Sequence, residues 1–232
     1  MENKKLTIAP AAGEACPAAL FGTLTVRGLD VSGVGADTAR TRLDALKEAG
    51  TARLKARHGQ YERAAFVRSE PVCRYVGYYK RFKKTYPVLQ QLESILLKGR
   101  GIPDAGAPVE AMFLAEVKNL LLTAGHDLDK IEGDLTVGLS AGTESCRGIS
   151  GQERRLTAGD LYLSDEGGVL SSVLDGPDHR TRITDATRNV LYFVYGVDGV
   201  TEAQIRAHLE DIRACLAAVL PQAESGLAEI RR

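Results

Sequence analysis

The chain has 232 residues, 30 Lys+Arg, 30 Asp+Glu, a formal net charge of zero and 44% hydrophobic residues. That apolar content excludes a disordered tail, and the length suits one large domain or two small ones. The longest apolar runs, such as residues 189–197, are about half of the roughly 18 residues a membrane span needs, so no membrane helix is expected.

The neutral total hides a gradient. Residues 1–100 hold 18 Lys+Arg against 9 Asp+Glu, a balance of +9, and residues 101–232 hold 12 against 21, a balance of −9. Such asymmetry points to a polyanion-facing surface on one part of the molecule. Glu2, Lys4 and Lys5 are followed by no apolar stretch of secretory length. The cysteines, Cys16, Cys73, Cys146 and Cys215, lie 57, 73 and 69 positions apart and match no C-x-x-C pattern. They read as isolated reduced thiols of a cytoplasmic protein.

Residues 5–31 mix alternating runs (Leu24, Val26, Leu29) with Pro10, Pro17 and glycines, which predicts strands joined by turns. From Asp37 to His58, Leu43, Leu46 and Leu54 recur among charges, predicting an exposed amphipathic helix interrupted near Gly50. Residues 74–86 interleave five basic side chains (Arg74, Lys80, Arg81, Lys83, Lys84) with five of the 13 aromatics (Tyr75, Tyr78, Tyr79, Phe82, Tyr86). Two readings stand: cations and ring faces for a single-stranded nucleic-acid end, or rings packed inward with the cations solvated.

Apolar periodicity predicts helices over 88–98 and 109–122, the second carrying Glu116, Lys118 and Asn119. After Gly125 the pattern becomes β: Leu135, Val137 and Leu139 alternate, 165–168 is a turn between strands 161–163 and 169–174, and the apolar run 189–197 is a central strand. Residues 201–220 form a closing helix, with Thr201 and Gln204 as a capping box and Pro221 as its stop. Helices and strands come in separated groups, which favours an α+β fold. There is no P-loop, no G-x-S-x-G, and Gly33-Val34-Gly35 lacks the rest of a dinucleotide fingerprint.

Three clusters carry possible chemistry. His126 between carboxylates (Asp127, Asp129) suits a general base or a metal ligand, or is a capped polar turn. Asp178, His179, Arg180 and Arg182 follow a Gly-Pro turn, the two arginines emerging on one face of a following strand for phosphate or carboxylate, or as plain surface charges. Glu116 and Asn119 are i,i+3 neighbours that can share a site or line a solvated face. His58 and His208 read as surface residues.

In order and spacing, residues 86–103, 109–122, 124–137, 159–170 and 180–196 together resemble the editing domain, B3/B4, of the phenylalanyl-tRNA synthetase β subunit, and the free-standing bacterial proteins built from it. The likeness covers about residues 70–220; residues 1–70 would be the domain's leading part, giving one domain over 1–221 and a tail at 222–232. The resemblance implies an α+β fold, binding of a tRNA or aminoacyl-tRNA 3′ end or its amino acid, and hydrolysis of a mischarged ester by a positioned water; no cofactor and no metal are expected.

The family's residues do not carry over. Aligned on Asp127, its Thr-Asn pair falls on Met112-Phe113, its His on Ala124 and its acid near Phe193. The chain's own set would replace them: His126 or Glu116 orienting water and Asn119 holding the carbonyl, with Lys118, Asp127, Asp178, Arg180 and Arg182 binding substrate. Arg74, Tyr78, Tyr79, Lys80, Arg81, Lys83 and Lys84 would contact RNA. Two alternatives stand beside it: a non-catalytic RNA- or amino-acid-binding module, and a metal-dependent hydrolase using His126, Asp127, Asp129 and His179.

Overall fold

The apolar run at 189–197 forms the strand around which the chain is built. In the computed structural model, which describes residues 4–232, β10 (Val190–Gly196) has all seven residues buried. It pairs antiparallel with β2 (Leu20–Arg27) on one side and β3 (Thr123–Asp127) on the other. β11 (Glu224–Ser225) and β12 (Glu229–Arg231) both add to the outer edge of β2. The residues expected as a C-terminal tail therefore complete this sheet.

A second sheet runs in the order β1 (Leu6–Ile8), β4 (Leu135–Leu139), β7 (Leu161–Asp165), β8 (Gly168–Ser172) and β9 (Gly176–Pro177). Only β1–β4 is parallel there. Because β1 and β2 enter the two different sheets, the leading region is woven into both. A short hairpin, β5 (Ser145–Arg147) with β6 (Glu153–Arg155), stands apart.

Seven α-helices complete the described residues: α1 (Pro10–Ala15), α2 (Ala36–Arg57), α3 (Arg63–Phe66), α4 (Val72–Arg81), α5 (Pro87–Lys98), α6 (Ala107–Asn119) and α7 (Glu202–Val219). The capping box of α7 forms as expected, with Thr201 Oγ1 accepting from Gln204 N–H and the Gln204 side chain accepting from Thr201 N–H. Helices and sheets make an α+β fold.

Side chains alternate across a strand, so the β2–β10–β3 sheet has two different faces. A Cβ on Gly22 would meet Ile205 and Leu209 of α7, and one on Gly125 would meet Met112 of α6. That face carries the helices. The opposite face presents Phe21, stacked on Phe193 at 5.9 Å, and Tyr195, whose hydroxyl lies 2.7 Å from Ser171 Oγ of the other sheet. Each fully buried Leu, Ile or Phe in these layers contributes about 1.5–3 kcal/mol by leaving water.

Four expectations change. α2 runs unbroken through Gly50, which touches Leu114 closely (3.0 Å from a would-be Cβ), and tertiary packing holds the turn that glycine weakens. Residues 10–15 are a helix with proline at its first position, where the absent N–H costs no bond. Residues 178–189 form no strand beyond the Gly148–Asp178 bridge, so Arg180 and Arg182 do not share a strand face. His208 is fully buried, not a surface residue.

Candidate functional site

At the end of α6 the chain turns sharply into β3 through Leu120, in the left-handed region at φ 59°, whose N–H bonds the Glu116 carbonyl. Around this turn two polar residues of α6, Lys118 and Asn119, meet α7, and a third, Glu116, meets the start of β3. The Glu116 carboxyl accepts the Thr123 N–H at 2.8 Å, and Thr123 Oγ1 sits 2.6 Å from His208 Nε2. Asn119 Nδ2 lies 3.4 Å from His208 Nδ1 and donates to Asp211 at 2.7 Å, while Lys118 donates to the other Asp211 oxygen at 2.6 Å.

Burial governs titration here. It raises the Glu116 carboxyl to about 8, with the Thr123 N–H pulling the other way, so the group is protonated at neutral pH. It lowers His208 to about 4 against the attraction of Asp211, leaving a neutral imidazole.

Immediately outside this cluster, α2, α6 and α7 enclose a cavity of about 460 Å³. Leu46, Leu54, Leu114 and Cys215 give it apolar walls, and Ala49, Gly50 and Ala115 leave the room. Charged groups at its edge are Arg53, Arg57, Lys118 and Asp211. Its volume falls in the range of small-molecule sites, with an apolar lining and few polar groups. His208, Asp211, Arg53 and Arg57 are site residues that sequence reasoning missed. The i,i+4 pair Arg53/Arg57 and the i,i+3 pair His208/Asp211 were the available signals.

His126 belongs elsewhere. Three residues beyond Thr123, it points to the opposite face of the sheet, between the two sheets. Its Nδ1 lies 2.9 Å from Thr181 Oγ1 and its Nε2 3.1 Å from Ser171 Oγ. His126, Thr181 and Ser171 are all fully buried. Burial lowers this imidazole to about 3. A neutral ring offers one donor and one acceptor, and the two hydroxyls satisfy both. The β2–β10–β3 sheet thus separates His126 from Glu116, Lys118 and Asn119, and the expected convergence of these four is corrected: the spacing from 123 to 126 is odd.

The remaining candidates organise loops. Asp127 takes the Thr187 hydroxyl at 2.8 Å and the Asp129 N–H at 3.2 Å. Asp178 accepts main-chain N–H groups of Arg147 (2.8 Å) and Arg180 (2.5 Å). Arg180 is locked to Asp165 at 2.6 Å and to the Lys130 carbonyl at 2.8 Å; Arg182 donates to the His179 carbonyl at 2.7 Å. Asp129 holds Asn189. His126, Asp127, Asp129 and His179 therefore do not converge on a common metal position, and among the described residues no three His, Cys, Asp or Glu do.

The 74–86 segment divides by chemistry. Tyr75, Tyr78, Tyr79 and Tyr86 are buried, and their hydroxyls bond the Tyr195 carbonyl, Asp160, the Val173 carbonyl and the Leu120 carbonyl. Tyr78 and Tyr79 thus offer no ring face to a base, which corrects the stacking expectation. Of the cations, Arg74 pairs with Glu70 and Lys84 with Asp175, and Arg81 lies 5.1 Å from the Tyr78 ring centroid. Lys80 and Lys83 are exposed.

All four cysteines are free, and among the described residues no helix is long and apolar enough to cross a membrane. None of the curated proteins matches this chain in sequence. A solved structure of an N-terminal fragment of the phenylalanyl-tRNA synthetase beta-subunit from Pyrococcus horikoshii is similar at 13% identity and a TM-score of 0.49. That likeness covers 97% of this chain and 50% of the fragment, so the chain spans about half of that length. The model of the B3/4 domain matches residues 74–213, more than half of the chain, and the chain belongs to the B3/4 domain family.

Proposed function

We propose that the cavity between α2, α6 and α7 receives the aminoacyl end of a tRNA, making this chain a cytoplasmic binding module of the editing-domain type. The observation that carries the reading is the pattern around the cavity: apolar walls, one carboxylate (Asp211) and three cations (Arg53, Arg57, Lys118) at the edge. An aminoacylated 3′ end presents the complement, with an apolar side chain, an α-ammonium and phosphates. Asp211 would share its oxygens between Lys118 and the ammonium, and Arg53 and Arg57, one turn apart on α2, would face phosphate. Lys80, Lys83 and Arg81 would add backbone contacts without stacking.

Binding of charged and uncharged tRNA panels, with wild type and with Asp211→Asn and Ala49→Phe, tests this. Both variants should weaken charged tRNA at least tenfold and uncharged tRNA little. Equal binding of charged and uncharged tRNA by wild type would refute the pocket assignment.

Hydrolysis of the ester in trans is a second reading, favoured by Glu116. Its carboxyl, raised to about 8, suits proton transfer near neutral pH and sits on the helix that gives the pocket Leu114, Ala115 and Lys118. Incubation with mischarged tRNAs separates the two. Turnover that survives both Glu116→Gln and Asn119→Ala would exclude these residues from the chemistry.

A further inference from the structure

The second half of the sequence carries the acidic excess, yet its β5–β6 hairpin is basic. Arg147, Arg154 and Arg155 are exposed, and no carboxylate or carbonyl holds their guanidinium groups among the described residues. Exposed arginines elsewhere are commonly held: Arg63 by Glu93, Arg74 by Glu70, Arg206 by Glu202 and Arg213 by Glu210.

The hairpin is fixed in place. Gly148 bridges Asp178, and the Arg147 carbonyl accepts the His179 N–H at 2.6 Å, which brings the hairpin beside Arg182. Glu153 of β6, in register with Arg147, makes no ion pair with it, and the Asp178 carboxylate is turned onto two main-chain N–H groups. A Cβ on Gly148 would lie 3.2 Å from the Arg154 guanidinium, so glycine there leaves room for that side chain on the Cys146 side of the ribbon, while Arg147 and Arg155 share the other side. Between Gly148 and Gly151 the tip exposes Ile149 by 57%.

We propose that this hairpin, with the adjoining Arg182, is a docking surface for the sugar-phosphate backbone of RNA; the inference rests on the tRNA reading above. The unpaired guanidinium groups of Arg147, Arg154 and Arg155 match phosphate geometry, Arg182 beside them is tied at one nitrogen to His179, and an exposed aliphatic tip suits a ribose or an unstacked base.

The test is tRNA binding by fluorescence anisotropy from about 50 to about 300 mM salt, with wild type and an Arg147→Gln, Arg154→Gln, Arg155→Gln triple variant. Loss of three phosphate contacts should flatten the log-log salt slope by about 2 and weaken charged and uncharged tRNA alike, at least tenfold near 100 mM salt. Arg206→Gln with Arg213→Gln on α7 should change neither. Circular dichroism checks that the triple variant is folded, as three exposed side chains lead one to expect.

Wild-type affinity and slope in the triple variant would overturn the hairpin assignment while leaving the pocket reading intact. No tRNA binding by wild type would overturn both. Retention of wild type, but not of the triple variant, on phosphatidylglycerol vesicles without any effect on tRNA would assign the hairpin to membranes and also overturn it.

Discussion

Replacing Glu116 by glutamine should remove a pH dependence that the wild type carries. The folded carboxyl titrates near 8 and the ordinary value is 4.5, so between these limits the folded state keeps a proton that the unfolded chain has lost. Stability from this group is complete below pH 4.5 and declines as pH rises through 8. At 1.36 kcal/mol per pH decade, the loss is about 3 kcal/mol by pH 7. The glutamine amide would keep an oxygen for the Thr123 N–H and cannot ionise. Urea unfolding of both proteins at several pH values from acid to mildly alkaline measures the difference directly. Asp160, raised to about 6, and the depressed histidines contribute equally to both, so they cancel in the comparison. The variant should match wild type in acid and exceed it by about 3–5 kcal/mol above neutrality. Parallel profiles for the two proteins would show that Glu116 is not a buried, protonated acid.

Three further outcomes are expected. His126→Ala should destabilise by roughly 2–4 kcal/mol, because Ser171 and Thr181 lose their partner in a closed interior, while the folded fraction still binds charged tRNA; a binding defect without a stability defect would contradict this placement. Glu110, whose side chain is fully buried, accepts from Arg40, Lys47 and the Ala105 and Gly106 N–H groups. Burial alone would raise it, but these bonds outweigh that and hold it at about 2. Its contribution is present above pH 4.5 and lost as pH falls through 2, so Glu110→Ala should cost about 3 kcal/mol at pH 7 in urea unfolding and flatten the acid limb. Cys215, on the cavity wall, is raised to about 11 by burial, so iodoacetamide should modify it far more slowly than a free thiol at pH 8, and charged tRNA should slow it further; mass spectrometry of the labelled peptide reads both.

Periodicity carried the fold a long way. The 3.6-residue stripes at Val88, Leu89, Leu92 and Ile95 and at Ile205, Leu209, Ile212 and Leu216 are buried faces of α5 and α7. The same rule, applied to α4, would have chosen between the two readings of its aromatics. Val72, Tyr75, Tyr78 and Tyr79 stand at i, i+3, i+6 and i+7, an apolar stripe, with Arg74 and Lys80 off it. His208 also lies between Ile205 and Ile212 on such a stripe, hidden by its polar sequence neighbours Arg206 and Glu210. The pocket was not legible, because it depends on how closely three helices approach. Ala49 and Gly50 carry no signal in sequence until Leu114 is placed opposite them.

The charge gradient shows why segment sums do not describe a surface. A basic first half and an acidic second half would make two patches only if the fold kept them apart, but β1 pairs with β4 and β2 with β10, interleaving the halves. Cations of the first half then meet acids of the second: Arg40 and Lys47 converge on Glu110 and Asp104, and Lys84 meets Asp175. Part of the excess is thereby neutralised by pairing between the halves. What a polyanion would meet is the remainder, the cations that no carboxylate holds. Among these are Lys80 and Lys83 at the end of α4, Arg53 and Arg57 beside the cavity, and Arg147, Arg154 and Arg155 on the hairpin, the last three drawn from the half whose formal balance is −9. Net charge constrains the field far from the molecule, whereas contact chemistry is set by which guanidinium groups remain unpaired at its surface.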